Sequence, residues 1–186
     1  MNPIKNKKEL ETSIDEIRES AYSYLDKYSS SKQQLRIYLF KKFLKKNQKI
    51  YNKKELFDLI DAVISTLIDK NFINDKYYSD SKSKIFFRRG YSLNKIRYNL
   101  IKKGIDEKYI KSSISKIKEK ELDPDFFSAI KMCKRRRIGP CREESNRTIY
   151  YKKDISILAR SGFTYEVSKK VLEIPKEEFK KLIKLI

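Results

Sequence analysis

The side chains of this 186-residue chain that can do chemistry are gathered in three stretches, and their chemistry is charge neutralisation. Arg88, Arg89, Lys95, Arg97, Lys102 and Lys103 lie between Lys82 and Gly104, a run with eight Lys or Arg and no acid. Lys134, Arg135, Arg136 and Arg137 dominate the run from Lys131 to Arg142, with six bases and no acid. Arg36, Lys41 and Lys42 belong to the run from Lys27 to Lys54, with ten bases and no acid. Tyr38, Phe40, Phe43, Phe86, Phe87, Tyr91 and Tyr98 are interleaved with the first two of these stretches in chain order. Cations interspersed with rings suit a polyanion, nucleic acid foremost, because phosphates pair with the cations and bases stack on the rings. Rings at helical spacing also serve the core. Tyr38, Phe43 and Phe86 are read that way, whereas rings such as Tyr91 are read as stacking on bases or filling a partner pocket. A merely solvated basic surface is the alternative, since Lys outnumbers Arg 34 to 11.

Other chemistries are poorly supplied. The net charge is +20 and there is no histidine, which removes Ser-His-Asp triads, Cys-His pairs and His-ligated metals. Two cysteines, Cys133 and Cys141, cannot make a Cys-only zinc site, and four glycines leave no phosphate-cradling loop. Asp58, Asp61 and Asp69 are the acids a metal-dependent hydrolase would use, with Asp58 and Asp61 sharing a helix face. Asp61, set among apolar residues, is more simply a solvated edge. No catalytic residue, cofactor or metal is expected. Cys133 reads as a small packed hydrophobe and Cys141 as a loop residue without a redox role. The start of the chain has no apolar core of a signal peptide, and no apolar run approaches the ~20 residues of a bilayer span. A soluble cytoplasmic protein, monomeric and away from membranes, is expected.

The elements that must carry these cations are helices. Leu10, Ile14, Ile17, Ala21, Leu25 and Tyr28 form one stripe at steps of three and four. Ser31 opens a second helix, with Gln34 completing a capping-box pattern and Leu35, Tyr38, Leu39 and Phe43 inward. Lys45–Lys54 reads as a loop. The strongest stripe runs from Leu56 to Ile68, with Asn71 as its C-cap. Asn74 or Asp75 caps the next helix, which Gly90 breaks. Ser92 opens a helix with Leu93, Ile96 and Leu100 inward, ending at Gly104. Asp106 caps a helix carrying Ile110, Ile114 and Ile117, and Asp123-Pro124 starts another. Ile138 to Asn146 reads as a loop, with helix resuming around Thr148 and ending at Gly162. Thr164 caps the next helix and Pro175 opens the last, with Phe179 inward. The fold class is all-α, about ten helices.

An internal repeat organises them. Ser31…Leu35-Arg36…Leu39 matches Ser92…Ile96-Arg97…Leu100 at an offset of 61. Leu100…Gly104-Ile105-Asp106 matches Leu158…Gly162-Phe163-Thr164 at an offset of 58. The expected organisation is an elongated, curved array of three three-helix, helix-turn-helix-like repeats. Residues 1–19 lead into the first helix, 20–73, 74–121 and 122–175 are the repeats, and 176–186 form a short terminal helix. Gly90 and Gly104 are backbone punctuation.

On these residues the chain resembles the RecX family. The likeness lies in Leu67…Phe72-Ile73-Asn74-Asp75, Phe87-Arg-Arg-Gly90-Tyr91 and Ile96-Arg97-Tyr-Asn-Leu100-Ile-Lys-Lys-Gly104-Ile105. Lys134-Arg-Arg-Arg-Ile-Gly-Pro140 and Leu158-Ala-Arg160-Ser-Gly162-Phe163-Thr164-Tyr165 are similar to the third repeat, especially of alphaproteobacterial members. Ser92 departs from the pattern, standing where a second glycine is usual, and Asn94-Lys95 replace a basic pair. The resemblance implies a negative regulator of homologous recombination and the SOS response. Such a regulator binds RecA filaments on single-stranded DNA, inhibits ATP hydrolysis and strand exchange, promotes filament disassembly, and also binds DNA directly, double-stranded DNA included. The alternative is a helical-repeat protein that binds nucleic acid alone.

Overall fold

The computed structural model describes residues 14–46 and 53–185. Leu10, the residues before Ile14 and the centre of the Lys45–Lys54 stretch lie outside them. Among the described residues ten α-helices and one 3-10 turn run in order: α1 Ile14–Lys27, α2 Lys32–Lys46, α3 Lys53–Asp69, α4 Asp75–Arg88, α5 Leu93–Ile101 and α6 Glu107–Lys120. They are followed by α7 Pro124–Arg136, the turn Gly139–Cys141, α8 Glu144–Arg160, α9 Tyr165–Leu172 and α10 Lys176–Lys184. No strand occurs among the described residues, so the fold is all-α. The chain divides into two compact units, Met1–Tyr78 and Ser79–Ile186.

In the first unit α1, α2 and α3 pack on one another. Ile17 and Ala21 of α1 meet Leu35, Leu39 and Phe43 of α2, and Leu56, Ile60, Val63, Ile64 and Leu67 of α3. These are the stripes read from the sequence, although Ile14, Tyr28 and Ile68 stay exposed. Burying one such aliphatic side chain stabilises by roughly 1.5–3 kcal/mol, so packing rather than helix propensity holds this unit. Lys45 belongs to α2, and α3 starts at Lys53. The two ends of the expected Lys45–Lys54 loop are therefore helical, because lysines do not oppose helix formation, and residues 47–52 lie outside the described residues.

In the second unit α5 packs on α6, and α7 packs on α9 and α10. Ala129, Ile130, Met132 and Cys133 of α7 join Leu158, Phe163, Val171, Leu172 and Phe179 in its main core. Helix ends follow the local signals. Ser92, Asp106, Asp123 and Thr164 accept from backbone N–H groups at the starts of α5, α6, α7 and α9. Gly90, Gly104 and Gly162 take positive φ at or just beyond helix ends, as Asn71 does in the first unit.

A further boundary departs from expectation. Helix α8 begins at Glu144, not near Thr148, although Glu143 makes no side-chain cap. Arg147, in its first turn, donates to the carbonyls of Leu172 and Ile174 at 2.8 and 2.9 Å. A tertiary clamp therefore starts this helix where no capping residue does. Cys133 is buried and Cys141 half-buried, both as free thiols, and burial pushes both thiols up.

Candidate nucleic-acid interface

The cations are displayed by helices whose ends are tightly held, and each unit holds its own set. In the second unit, α5 is pinned at its start. Ser92 Oγ accepts from Lys95 N at 3.1 Å and donates to the Ser161 carbonyl at 2.9 Å. Asp125 Oδ1, from the first turn of α7, accepts from Leu93 N at 2.8 Å. Gly162 completes the fit, since a Cβ there would stand 2.5 Å from Ser92 Oγ. Burial of Leu93, Ile96 and Leu100 turns the opposite face outward. That face carries Lys95, Tyr98 and Lys102, with both lysine Nζ atoms over the Tyr98 ring at 5.3 and 4.7 Å. Hydrogen bonding to Lys102 and its charge hold the Tyr98 phenol below its usual range. Arg97 instead pairs with Glu107 at 3.0 Å, and Lys103 lies half-buried in the turn after α5.

The arginine clusters of the second and third basic stretches come together. Arg88 and Arg89 are exposed at the end of α4. Gly90 N and Tyr91 N bond back to the carbonyls of Phe87 and Phe86, and the Tyr91 ring stacks on Phe86 at 5.3 Å. A Cβ on Gly90 would lie 2.9 Å from Lys131 Cβ, so only glycine lets α4 end against α7. Arg135 then reaches across and donates to the Arg89 carbonyl at 2.7 Å. Arg135 is thus a cap for α4, placing Arg89 beside the Lys134–Arg137 cluster. Lys134, Arg136 and Arg137 are exposed. Among the described residues no ion pair holds Arg88, Arg89, Lys134 or Arg136. Arg137 is the C-cap of α7 in the left-handed region, φ 54°, where glycine is usual.

In the first unit Arg36 is engaged in a partly exposed ion pair. It makes two 2.6 Å bonds to Asp61 and lies 4.5 Å over the Phe57 ring, which itself stacks on Phe40. Asp61, one of the acids considered for metal chemistry, is therefore an ion-pair partner. Among the described residues no three acid or thiol side chains gather as metal ligands. Lys41 is exposed, and Lys42 donates to Ser20 Oγ at 3.0 Å.

Three features were not given their roles from the sequence. Tyr98 stands outside the expected site, although its spacing from Lys95 and Lys102, three and four residues, signals a shared helix face. Asp154, 1% exposed, receives two 2.7 Å bonds from Arg142 and one from Gly139 N at 2.9 Å, and nothing local announces it. Asp75 and Asp125 each reach the start of another helix, at Lys32 N and Leu93 N, rather than capping their own. Asn74 caps α4, accepting from Tyr77 N.

No described helix is long and apolar enough to cross a membrane. No family model matches the chain. It is 24% identical over 160 residues to "Regulatory protein RecX" of Myxococcus xanthus (strain DK1622), which covers 84% of each chain. Its fold is similar to the crystal structure of RecX from Lactobacillus salivarius, with TM-score 0.59, 20% identity, and 90% and 97% of the two chains covered. A second crystal structure, of regulatory protein RecX, gives TM-score 0.57 at 19% identity, covering 87% of this chain and 74% of that one. The chain is thus similar to RecX proteins over most of its length in sequence and in fold.

Proposed function

We propose that this chain is a RecX-type regulator that acts by occupying a RecA filament on single-stranded DNA. It contacts phosphate and acidic protein groups through its exposed cations. In this reading it lowers ATP hydrolysis and strand exchange by RecA, favours filament disassembly, and so restrains recombination and the SOS response without chemistry of its own. It works in the cytoplasm as a monomer, each of its three repeats bringing a basic patch. The narrower likeness of the Lys134–Tyr165 region to alphaproteobacterial members belongs to the same reading. The observation that carries it is the likeness to RecX over 84% of the chain, coupled with cations that the fold leaves unpaired at Arg88, Lys134 and Arg136. Such contacts release counterions, so the interaction weakens as salt rises.

The test is ATP hydrolysis by RecA on single-stranded DNA while this protein is titrated in. A graded fall in turnover is expected. Unchanged hydrolysis at every ratio, with a folded protein, removes the proposal. The second reading, a nucleic-acid binder acting alone, is favoured by the lysine-flanked ring of Tyr98 and predicts DNA binding with no effect on RecA.

A further inference from the structure

The outward face of α5 has a composition that an acidic protein surface would not require. Lys95, Tyr98 and Lys102 lie on one stripe, and Tyr98 is 49% exposed. Its ring is flanked by two ammonium groups at 5.3 and 4.7 Å. Among the described residues neither lysine is in an ion pair, whereas the neighbouring Arg97 is held by Glu107. An exposed cation–π contact is weak, so both ammonium groups can swing away when a better partner arrives. The partner that uses all three groups at once has a flat π-face and two nearby negative charges. A nucleotide in a flexible strand offers that combination. Duplex DNA does not, because its base faces are already stacked on one another.

We infer that Lys95, Tyr98 and Lys102 form a stacking site for a base of single-stranded nucleic acid, with the two lysines taking the flanking phosphates. The inference deepens the proposed function and rests on its reading of a nucleic-acid partner. The site is sequence-tolerant, since every base presents a π-face. The same composition recurs within the second unit at Tyr150 on α8, where Arg142 lies 4.5 Å and Lys153 5.6 Å from the ring centre. There the guanidinium is anchored by Asp154, so the α5 face is the more adaptable of the two.

The experiment measures fluorescence anisotropy of a labelled oligothymidylate and of an abasic oligomer with the same number of phosphates, without RecA. Tyr98→Leu is expected to weaken oligothymidylate binding about tenfold and to leave abasic binding unchanged. Tyr98→Phe keeps the ring and is expected to bind as the wild type does. Lys102→Ala is expected to reduce the salt slope by about 0.7 on both oligomers, whereas Tyr98→Leu leaves it unaltered. Circular dichroism checks that the variants fold. Equal loss on both oligomers, or no loss on either, overturns the assignment. So does a Tyr98→Leu protein that keeps oligomer binding but loses capture by a RecA–DNA filament, since the face would then meet protein. Base-dependent binding through Tyr98 together with an unaffected RecA ATPase would leave this site standing and remove the filament function.

Discussion

Asp125 Oδ1 lies 2.8 Å from the backbone nitrogen of Leu93, so a carboxylate on α7 holds an N–H that α5 cannot satisfy itself. In the first unit Asp75 Oδ1 stands 2.9 Å from Lys32 N in the same relation to α2. In both places the preceding serine, Ser31 or Ser92, accepts the N–H three residues after it. Two start points that match in the sequence are thus sealed twice, once locally and once from a distant helix.

Burial pushes the carboxyls of both Asp75 and Asp125 up, against the lowering effect of the N–H each receives. A folded-state value above the unfolded one means that folding takes up protons in that window, so this contribution to stability falls as pH rises through it. Asp125→Asn keeps an acceptor and removes the charge. Its stability relative to the wild type is expected to rise between pH 4 and pH 7, and Asp125→Ala, which also lacks the acceptor, is expected to show the same rise from a level about 1 kcal/mol lower. Urea midpoints at the two pH values check both.

Arg137 adopts φ 54° at the end of α7, a conformation that costs a non-glycine residue about 1 kcal/mol. Arg137→Gly is therefore expected to stabilise the protein by roughly that amount and yet to weaken binding to single-stranded DNA. Thermal melts and anisotropy titrations, run on the same preparation, read the two effects. A variant that is stabilised with binding intact would show that the side chain at Arg137 serves no partner.

Arg142 and Asp154 form a pair whose acid is 1% exposed. Truncating the arginine strands a buried charge on Gly139 N alone. Arg142→Ala is expected to cost about 3–5 kcal/mol, far more than an exposed ion pair would. Denaturant unfolding of the second unit is the measure, and a loss below about 1 kcal/mol would contradict the pairing.

Arg36 and Arg88 carry the same charge in different service. Arg36 is bonded to Asp61, whereas Arg88 is exposed. Replacing Arg88 and Arg89 with alanine is expected to reduce the salt slope of single-stranded DNA binding by about 1.4, at about 0.7 per lost contact, with little change in stability. Arg36→Ala is expected to destabilise the first unit and leave the slope unaltered. The two slopes, measured between 50 and 200 mM salt, distinguish a contact residue from a structural one.

Local chemistry was legible in the residues themselves. The stripe from Leu56 to Leu67, the caps at Ser31, Ser92, Asp106, Asp123 and Thr164, and the turns at Asn71, Gly90, Gly104 and Gly162 depend on neighbours within one or two turns. The clustering of basic residues is likewise a property of chain order. Which cations stay available is not, because that depends on what the fold places opposite each one. Arg36 and Arg97 occupy matching positions and both meet an acid, Arg135 is drawn to the Arg89 carbonyl, and Lys95 and Lys102 are left over a tyrosine ring. The start of α8 shows the same division, set by Arg147 clamping carbonyls 25 and 27 residues away. Sequence by itself determined the helices, most of their ends and the basic character of the chain, since these are short-range properties. Tertiary structure alone decided which charges are spent inside the protein, because an ion pair needs a partner that only packing brings within 3 Å.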